Sequence, residues 1–336
     1  MKKITLKVIM ALAVSYGTVC FGLDAADNSG TTAGEFLRIE VGARAEGMGG
    51  AFSPLADDVN AVYWNPAGLA GVTTQQILLS HTFWFADIYH EYVAYVHPLG
   101  GDNGAIGASF TYLFTSFEKR AADTDTVDSL GTVGEYAVNL SYGRNILMPG
   151  LKLGVAAKYV GSSLDTVSAS SFAFDAGLQY ALMNNVILSA TYSNFLGSLN
   201  YGSTAFNIGN TFDAGVGLRE FLMKDLNLAV DLRTPSDFAT IQINAGAEYK
   251  IKCSQDIVIT PRAGFKVYNS QITGGFGINY QQYQIDYAFQ SNSDLGLSHR
   301  ISLAYNFGAP AAATPVPAAI PADTKKEEVK PVEQPK

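Results

Sequence analysis

From Gln75 onward, apolar and polar residues take turns along the chain with a period of two, the pattern of a strand whose two faces meet different surroundings. Tyr136, Val138, Leu140 and Tyr142 interleave with Glu135, Asn139, Ser141 and Gly143, and Leu226, Leu228, Val230 and Leu232 with Asn227, Asp231 and Arg233. Ile241, Ile243, Ala245, Ala247 and Tyr249 alternate in the same way with Gln242, Asn244, Gly246 and Glu248. Helical spacing fits none of these. Comparable segments begin near Gln76, Tyr89, Ala105, Glu135, Leu151, Phe172, Val186, Thr211, Leu226, Ile241, Ile257, Ile272, Tyr283 and Ser298. They predict about fourteen antiparallel strands of roughly ten residues, the length a tilted strand needs to cross an outer membrane. Short turns near Gly101, Asn145, Asn184, Asp225, Ser254 and Gln282 alternate with longer stretches at Glu118–Gly134, Leu196–Asn210 and Ser291–Leu297. In barrels the short turns are periplasmic, so both termini are expected on the periplasmic side.

A soluble sandwich would alternate too, and composition argues against it. Charged residues make up only 15% of the 336, against about 25% in an ordinary soluble domain. The polar faces carry Gly, Ser, Asn and Gln rather than Lys and Glu, as expected of a lumen, and Tyr136, Tyr142, Tyr180 and Tyr249 sit at segment ends, where rings favour the headgroup layer. The fold class read from the chain is therefore all-β: a transmembrane outer-membrane β-barrel of about fourteen strands over residues 75–308. Its lipid surface is an implied partner. The formal net charge of −8 argues against a nucleic-acid partner, which needs a clustered basic face.

Residues 1–22 read as an export signal, with Lys2, Lys3 and Lys7 before the apolar Val8–Gly22 stretch. Cys20 falls inside it, leaving Cys253 alone, so no disulfide framework is expected. At the other end, residues 309–336 switch to Pro and Ala and then to Lys and Glu, a composition that cannot bury a core and reads as a disordered periplasmic tail.

Residues 23–74 do not alternate. They hold Gly42-Ala-Arg44-Ala-Glu46-Gly47-Met48-Gly49-Gly50-Ala51-Phe52, then Ala56-Asp57-Asp58, and Val62-Tyr63-Trp64-Asn65-Pro66-Ala67-Gly68-Leu69-Ala70. These strings resemble the N-terminal region of the PorV/PorQ family of outer-membrane proteins, itself similar to the FadL long-chain fatty acid transporter family. The resemblance is detailed in this segment; beyond it, it rests on strand count and on the closing His299–Gly308. It implies an N-terminal hatch folded inside a fourteen-stranded barrel, with Asn65, Pro66 and Ala67 matching the family's Asn-Pro-Ala element and Gly68 beside them.

The residues themselves agree with a compact plug. Gly47, Gly49 and Gly50 permit positive φ and close backbone approach, and Pro66 stops any helix begun by Ala56–Ala61. Asp57 and Asp58 are read as turn or capping residues rather than a catalytic pair. Trp64 is read as packed against the wall.

The search for chemistry finds little. The four histidines, His81, His90, His97 and His299, have no metal or catalytic spacing; a rim triad of His299 with Asp294 and Ser298 is the weaker reading beside a loop or girdle histidine. Gly215, Gly217, Gly274, Gly275 and Gly277 lie inside alternating strands without the helix a phosphate loop requires, and mark room on the lumen side. No cofactor, no metal and no enzymatic activity are expected. Pro261 breaks the pattern of its strand, and a closed barrel offers no free edge to accommodate it. A bulge is the plain expectation; with Gly264 in the same strand and Gly275 and Gly277 in the next, a lateral gap is the sharper one.

The expected function is passive uptake of small hydrophobic compounds, fatty acids or aromatics, through a FadL-like barrel gated by the hatch, with Phe195, Leu196, Tyr201 and Phe206 offering a route in from the outer loops. The alternative is a PorV-like structural partner that holds secreted proteins. Its outer loops are modest for that role, and a general polar porin is disfavoured by a lumen that also houses a plug.

Overall fold

The structure is a computed structural model that describes residues 30–308, apart from 87, 122–124, 147, 239, 269, 293 and 294. Both the export signal and the Pro/Ala/Lys/Glu tail lie outside the described residues. The wall is built from β1 (Gln75–Phe83), β2 (Tyr89–Pro98), β3 (Ala105–Lys119), β4 (Ser129–Asn145), β5 (Leu151–Leu164), β6 (Val167–Met183) and β7 (Val186–Phe195). It continues through β8 (Thr211–Leu218), β9 (Leu226–Pro235), β10 (Gln242–Tyr249), β11 (Ile257–Lys266), β12 (Gln271–Tyr280), β13 (Tyr283–Asn292) and β14 (Gly296–Phe307). Each strand pairs antiparallel with its sequence neighbour, and β1 pairs with β14 from Gln75↔Phe307 to Phe83↔His299. The ring of fourteen is closed, which no sandwich achieves.

All fourteen predicted strands are present, and their exposure is inverted relative to a soluble protein. Leu140, Val155 and Phe172 point outward and are more than half exposed, whereas Asp175, Asp231, Glu248, Asp286 and Arg300 point inward and are at most 2% exposed. An apolar outer band around a polar interior is how a barrel meets lipid.

Two expectations fail in instructive ways. About half of the predicted Glu118–Gly134 connection is strand, because β3 and β4 stay paired out to Lys119↔Ser129. β5 and β6 likewise pair to Leu164↔Val167 through Gly161–Ser163 and Ser168–Ser171. Where neither face meets lipid or core the side chains stop alternating, but the backbone ladder continues. At Pro261 there is no bulge. Glu248↔Arg262 and Ile251↔Ile259 keep one register on either side of it, and the pairing with β12 runs unbroken from Ile257↔Tyr280 to Lys266↔Gln271. The missing N–H interrupts the β10 side locally, while β12 holds the strand straight.

The segment before β1 threads the lumen from end to end. Its first described residues lie at what we term the distal mouth: Ala33 N donates to Asn207 O, and Arg38 pairs with Asp237 at 2.5 Å in the β9–β10 connection. Short helical turns follow at Glu35–Arg38, Ala43–Gly47, Ser53–Leu55, Ala61–Trp64 and Pro66–Gly71. The segment then reaches Gln75 at the proximal mouth, where β14 also ends. The expected periplasmic placement of both chain termini concerns residues outside those described; Gly30 and Phe307 lie at opposite mouths.

Candidate functional site: a filled lumen and its vestibule

The luminal segment has a core of its own, with Met48, Phe52, Leu55, Val62, Trp64 and Leu69 all at most 4% exposed. Its seat is glycine. Gly143, Gly154 and Gly177 stand side by side on β4, β5 and β6, and a Cβ on any of them would lie under 3.0 Å from Asn65, Pro66 or Ala67. A second pair, Gly246↔Gly264 on β10 and β11, lies in the same way beneath Met48 and Gly49. Gly49 and Gly50 have φ of 68° and 70°, the left-handed turn that brings this backbone onto the wall. Gly47 does not; it is needed for closeness, since a Cβ there would stand 3.2 Å from Arg262 Cβ.

Wall side chains satisfy the segment's backbone, as buried peptide groups require. Asp231 accepts from Phe52 N and Ser53 N, both at 2.9 Å. Gln179 Nε2 donates to Ser53 O and Ala56 O at 2.9 and 3.1 Å, and Asn139 Nδ2 donates to Val62 O at 3.0 Å. Asn65 donates from Nδ2 to Leu178 O and accepts from Ala67 N at 3.0 Å. Pro66 both ends the Ala61–Trp64 turn and opens the next one. Ala67 and Gly68 lie buried in that turn.

Charge then pins the segment in place. Arg44 reaches Glu248 on β10 at 2.8 Å, Asp57 at 2.8 Å and Asp58 at 2.7 Å. Glu46 pairs with Arg300 on β14 and Lys266 on β11. Glu40 takes Lys266 at 2.8 Å and Arg233 at 3.2 Å, and Asp57 takes Arg219 at 3.0 Å. Asp58 also accepts from Asn60 N at 2.8 Å, the turn role read from sequence, but its tie to Arg44 was not read. Nor were Glu40, Arg44, Glu46, Arg233, Lys266 and Arg300 as a set. The available signal was charge at lumen-facing strand positions, which demands partners inside.

Burial alone would raise the Glu46 carboxyl, but Lys266 and then Arg300 outweigh it and hold it down to about 2. Burial likewise acts upward on Asp57, and Arg44, Arg219 and Lys250 bring it to about 2. Asp57 is 33% exposed, so solvent screens part of its share. Depressed carboxylates stabilise the docked segment fully above their ordinary values, and that contribution is lost as pH falls through the docked ones. The contribution of these two carboxylates to Trp64 emission is therefore expected to be constant down to the ordinary Glu value of 4.5. It should change progressively as the pH is lowered from there toward about 2; no change over that interval would contradict this assignment.

Above the segment, a cavity of about 450 Å³ opens toward the distal mouth. Tyr63 and Trp64 lie at its base, and Trp84, Phe85, Phe238 and Tyr268 lie around it. Among its lining residues are four acids (Glu35, Glu40, Glu46, Asp213) and four bases (Arg38, Lys158, Arg233, Lys266). Trp64 is packed largely within the luminal segment rather than against the wall, on Phe52 and Tyr63 with its Nε1 donating to Val41 O at 3.0 Å, and it also faces this space. The four aromatic and apolar residues expected to admit ligand do not line it. Phe195 stacks on Tyr192 with ring centres 5.2 Å apart, on the outer face. Leu196 is 82% exposed. Tyr201 and Phe206 belong to a separate hairpin, Ser198–Tyr201 with Thr204–Asn207. Gly264 in β11 and Gly275 in β12 lie against Gly49 and Gly47, whereas Gly277 in β12 lies against Asp286 and Arg262, and Pro261 in β11 is exposed. Among the described residues no three His, Cys, Asp or Glu side chains form a metal-holding group.

Comparison with known proteins agrees on the architecture. The family described as "Uncharacterised protein family (UPF0164)" matches residues 23–161. A UPF0164 protein of Treponema pallidum (strain Nichols) is 28% identical over 179 residues, 51% of this chain and 42% of that protein's length; the match spans less than half of that relative. The Ralstonia pickettii toluene transporter TbuX is similar over 80% of this chain and 98% of its own, at 11% identity and a TM-score of 0.53. The Pseudomonas putida toluene transporter TodX covers 79% and 97% at 13% identity and 0.56. A Pseudomonas aeruginosa FadL homologue covers 80% and 98% at 11% identity and 0.56. At such identities the likeness shows the fold: a FadL-type fourteen-stranded barrel.

Proposed function

We propose that this chain is a passive uptake channel of a diderm outer membrane, with the distal mouth outside and the luminal segment acting as the hatch. The observation that carries this reading is the asymmetry of the lumen. The proximal end is filled by the glycine-seated turn Pro66–Gly71, while a cavity stands open at the distal end. A ligand arriving there meets a closed floor, and passage needs the hatch to shift, a change of state that differential ligand contacts drive. Small hydrophobic compounds, fatty acids or aromatics, are the substrate class, supported by the toluene transporters among the similar barrels. Entry runs through the vestibule rather than over Phe195, Leu196, Tyr201 and Phe206. Exit runs sideways at Pro261, where the ladder to the β10 side is interrupted between Glu248↔Arg262 and Ile251↔Ile259, with Gly264 and Gly275 nearby leaving room on the lumen side.

The connections at the distal mouth give a secreted protein little to hold. The longest, 196–210, folds back so that Leu199 and Ile208 pack against Phe36 and Leu37.

Liposomes carrying the folded chain are expected to accumulate labelled toluene or oleate faster than empty liposomes, and Pro261→Val is expected to slow that accumulation. No uptake by a folded barrel would sink the channel. Unchanged uptake by Pro261→Val would remove the lateral exit alone.

A further inference from the structure

We infer that the chain pairs with a second copy of itself across its lipid-facing wall, centred on His81 of β1 and Glu91 of β2. This goes beyond the uptake reading and does not depend on it. Both residues occupy outward positions of their strands. Their side chains are 33% and 40% exposed, and His81 Nδ1 stands 2.6 Å from Glu91 Oε1. Around them Leu79, Val93, Phe110 and Ile301 are apolar and 38–48% exposed. Ionisable groups on a lipid face are costly, so where they stand they call for partners.

The register fixes their depth. Strands tilt in a barrel, so a row of paired residues climbs from one strand to the next. The row holding His81 and Glu91 starts at Pro261, beside the proximal end of β10, and ends at Ser170, beside the distal β5–β6 turn. With about 4.8 Å between strands and a tilt of about 40°, each step lifts the row by about 3 Å. His81 is on the fourth strand from Pro261 and Glu91 on the fifth, at about 12 and about 15 Å, inside an apolar band about 25 Å tall. A lipid headgroup lies outside that band, and a lipid tail has no polar atom to offer.

The pair is its own complement. With a proton on His81 Nε2 it carries no net charge, the form hydrocarbon favours, and it presents Nε2–H as a donor beside Glu91 Oε2 as an acceptor. Neither atom has another hydrogen bond among the described residues. A twofold axis along the membrane normal, passing between β1 and β2, sets His81 opposite the second copy's Glu91 and Glu91 opposite its His81, with both chains oriented alike in the membrane. The same rotation lays Leu79 against the second copy's Val93. On β13 and β14 the outward polar groups close on each other instead, Tyr287 Oη standing 2.8 Å from His299 Nδ1, which centres the contact on β1 and β2.

The test counts chains in lipid. Cys253 is exposed and takes a single dye once Cys20 is replaced by Ser. Full chains labelled in this way and diluted into phosphatidylcholine liposomes are expected to bleach in two steps. His81→Leu and Glu91→Leu should each weaken pairing about tenfold, two lost contacts of the size polar groups give in membranes. His81→Glu alone sets carboxyl against carboxyl and should leave single chains, whereas His81→Glu with Glu91→His keeps the twofold match and should restore two steps. Heat-modifiability on a gel checks that every variant is a closed barrel. Single steps for the unaltered chain, two steps persisting in His81→Leu with Glu91→Leu, or a folded exchange variant that stays single would overturn the inference. So would a lipid that native mass spectrometry finds on single chains and that Glu91→Leu loses.

Discussion

Arg44→Leu is expected to unseat the luminal segment proposed as the hatch while leaving the barrel closed. Arg44 is the one hatch cation that reaches three carboxylates, Glu248 on the wall and Asp57 and Asp58 within the hatch. Leucine keeps the apolar stem over Phe52, whose ring the guanidinium carbon faces at 5.0 Å, so the loss falls on the charges. Glu248 is 1% exposed and keeps Arg262 at 3.3 Å, so the cost falls below the roughly 3–5 kcal/mol of leaving a buried charge with no partner at all. That penalty is paid only while the hatch is docked, whereas the strand ladder is untouched. The measurement is limited proteolysis in detergent beside heat-modifiability on a gel: cleavage within residues 30–74 should rise sharply, with the barrel band unchanged. Replacing Glu248 by Leu in the same chain should recover much of the protection, since Arg262 keeps Asp286 at 2.7 Å and Asp57 keeps Arg219. Equal protease resistance in Arg44→Leu and the unaltered chain would mean that the Arg44 cluster does not hold the luminal segment.

The wall was legible in the sequence and the lock was not, for different physical reasons. A strand between lipid and lumen must alternate residue by residue, so Leu226–Arg233 declares both its period and its inward face, and the first residue of β9 is read correctly. Beyond the lipid that constraint lapses, which is why β4 was expected near Glu135 and begins at Ser129. The luminal segment obeys no period. Its position depends on ion pairs between residues about two hundred apart, such as Arg44 with Glu248 and Glu40 with Lys266, and a linear pattern does not encode which charge meets which. The glycines were legible in part: Gly215 and Gly217 were read as room in the lumen, and the hatch residues Pro54 and Leu55 occupy it. The vestibule was not read, because its lining is gathered from the luminal segment, several loops and the inward faces of many strands, which no single stretch of sequence marks.

Gly154→Ala is expected to open a leak through the proximal mouth, a larger functional effect than any single hydrogen bond in the hatch supplies. Gly154 lies between Gly143 and Gly177 across three adjacent strands, directly beneath the peptide joining Pro66 to Ala67. A Cβ there would stand under 3.0 Å from backbone atoms of both residues, and backbone cannot rotate away as a side-chain end can. Overpacking of this kind usually costs about 1–3 kcal/mol where neighbours relax. Here the neighbour that can relax is the hatch floor itself, because β5 is held by its partners on both sides. Relief therefore comes from lifting Pro66–Gly71 off its seat. Gly134→Ala is the matched control: it adds the same methyl to β4 on the outer face, where the Cβ would meet Tyr112 Oη at 3.5 Å, an ordinary contact. In planar bilayers Gly154→Ala should show conductance that Gly134→Ala and the unaltered chain lack. Three indistinguishable traces would show that the floor does not close the pore.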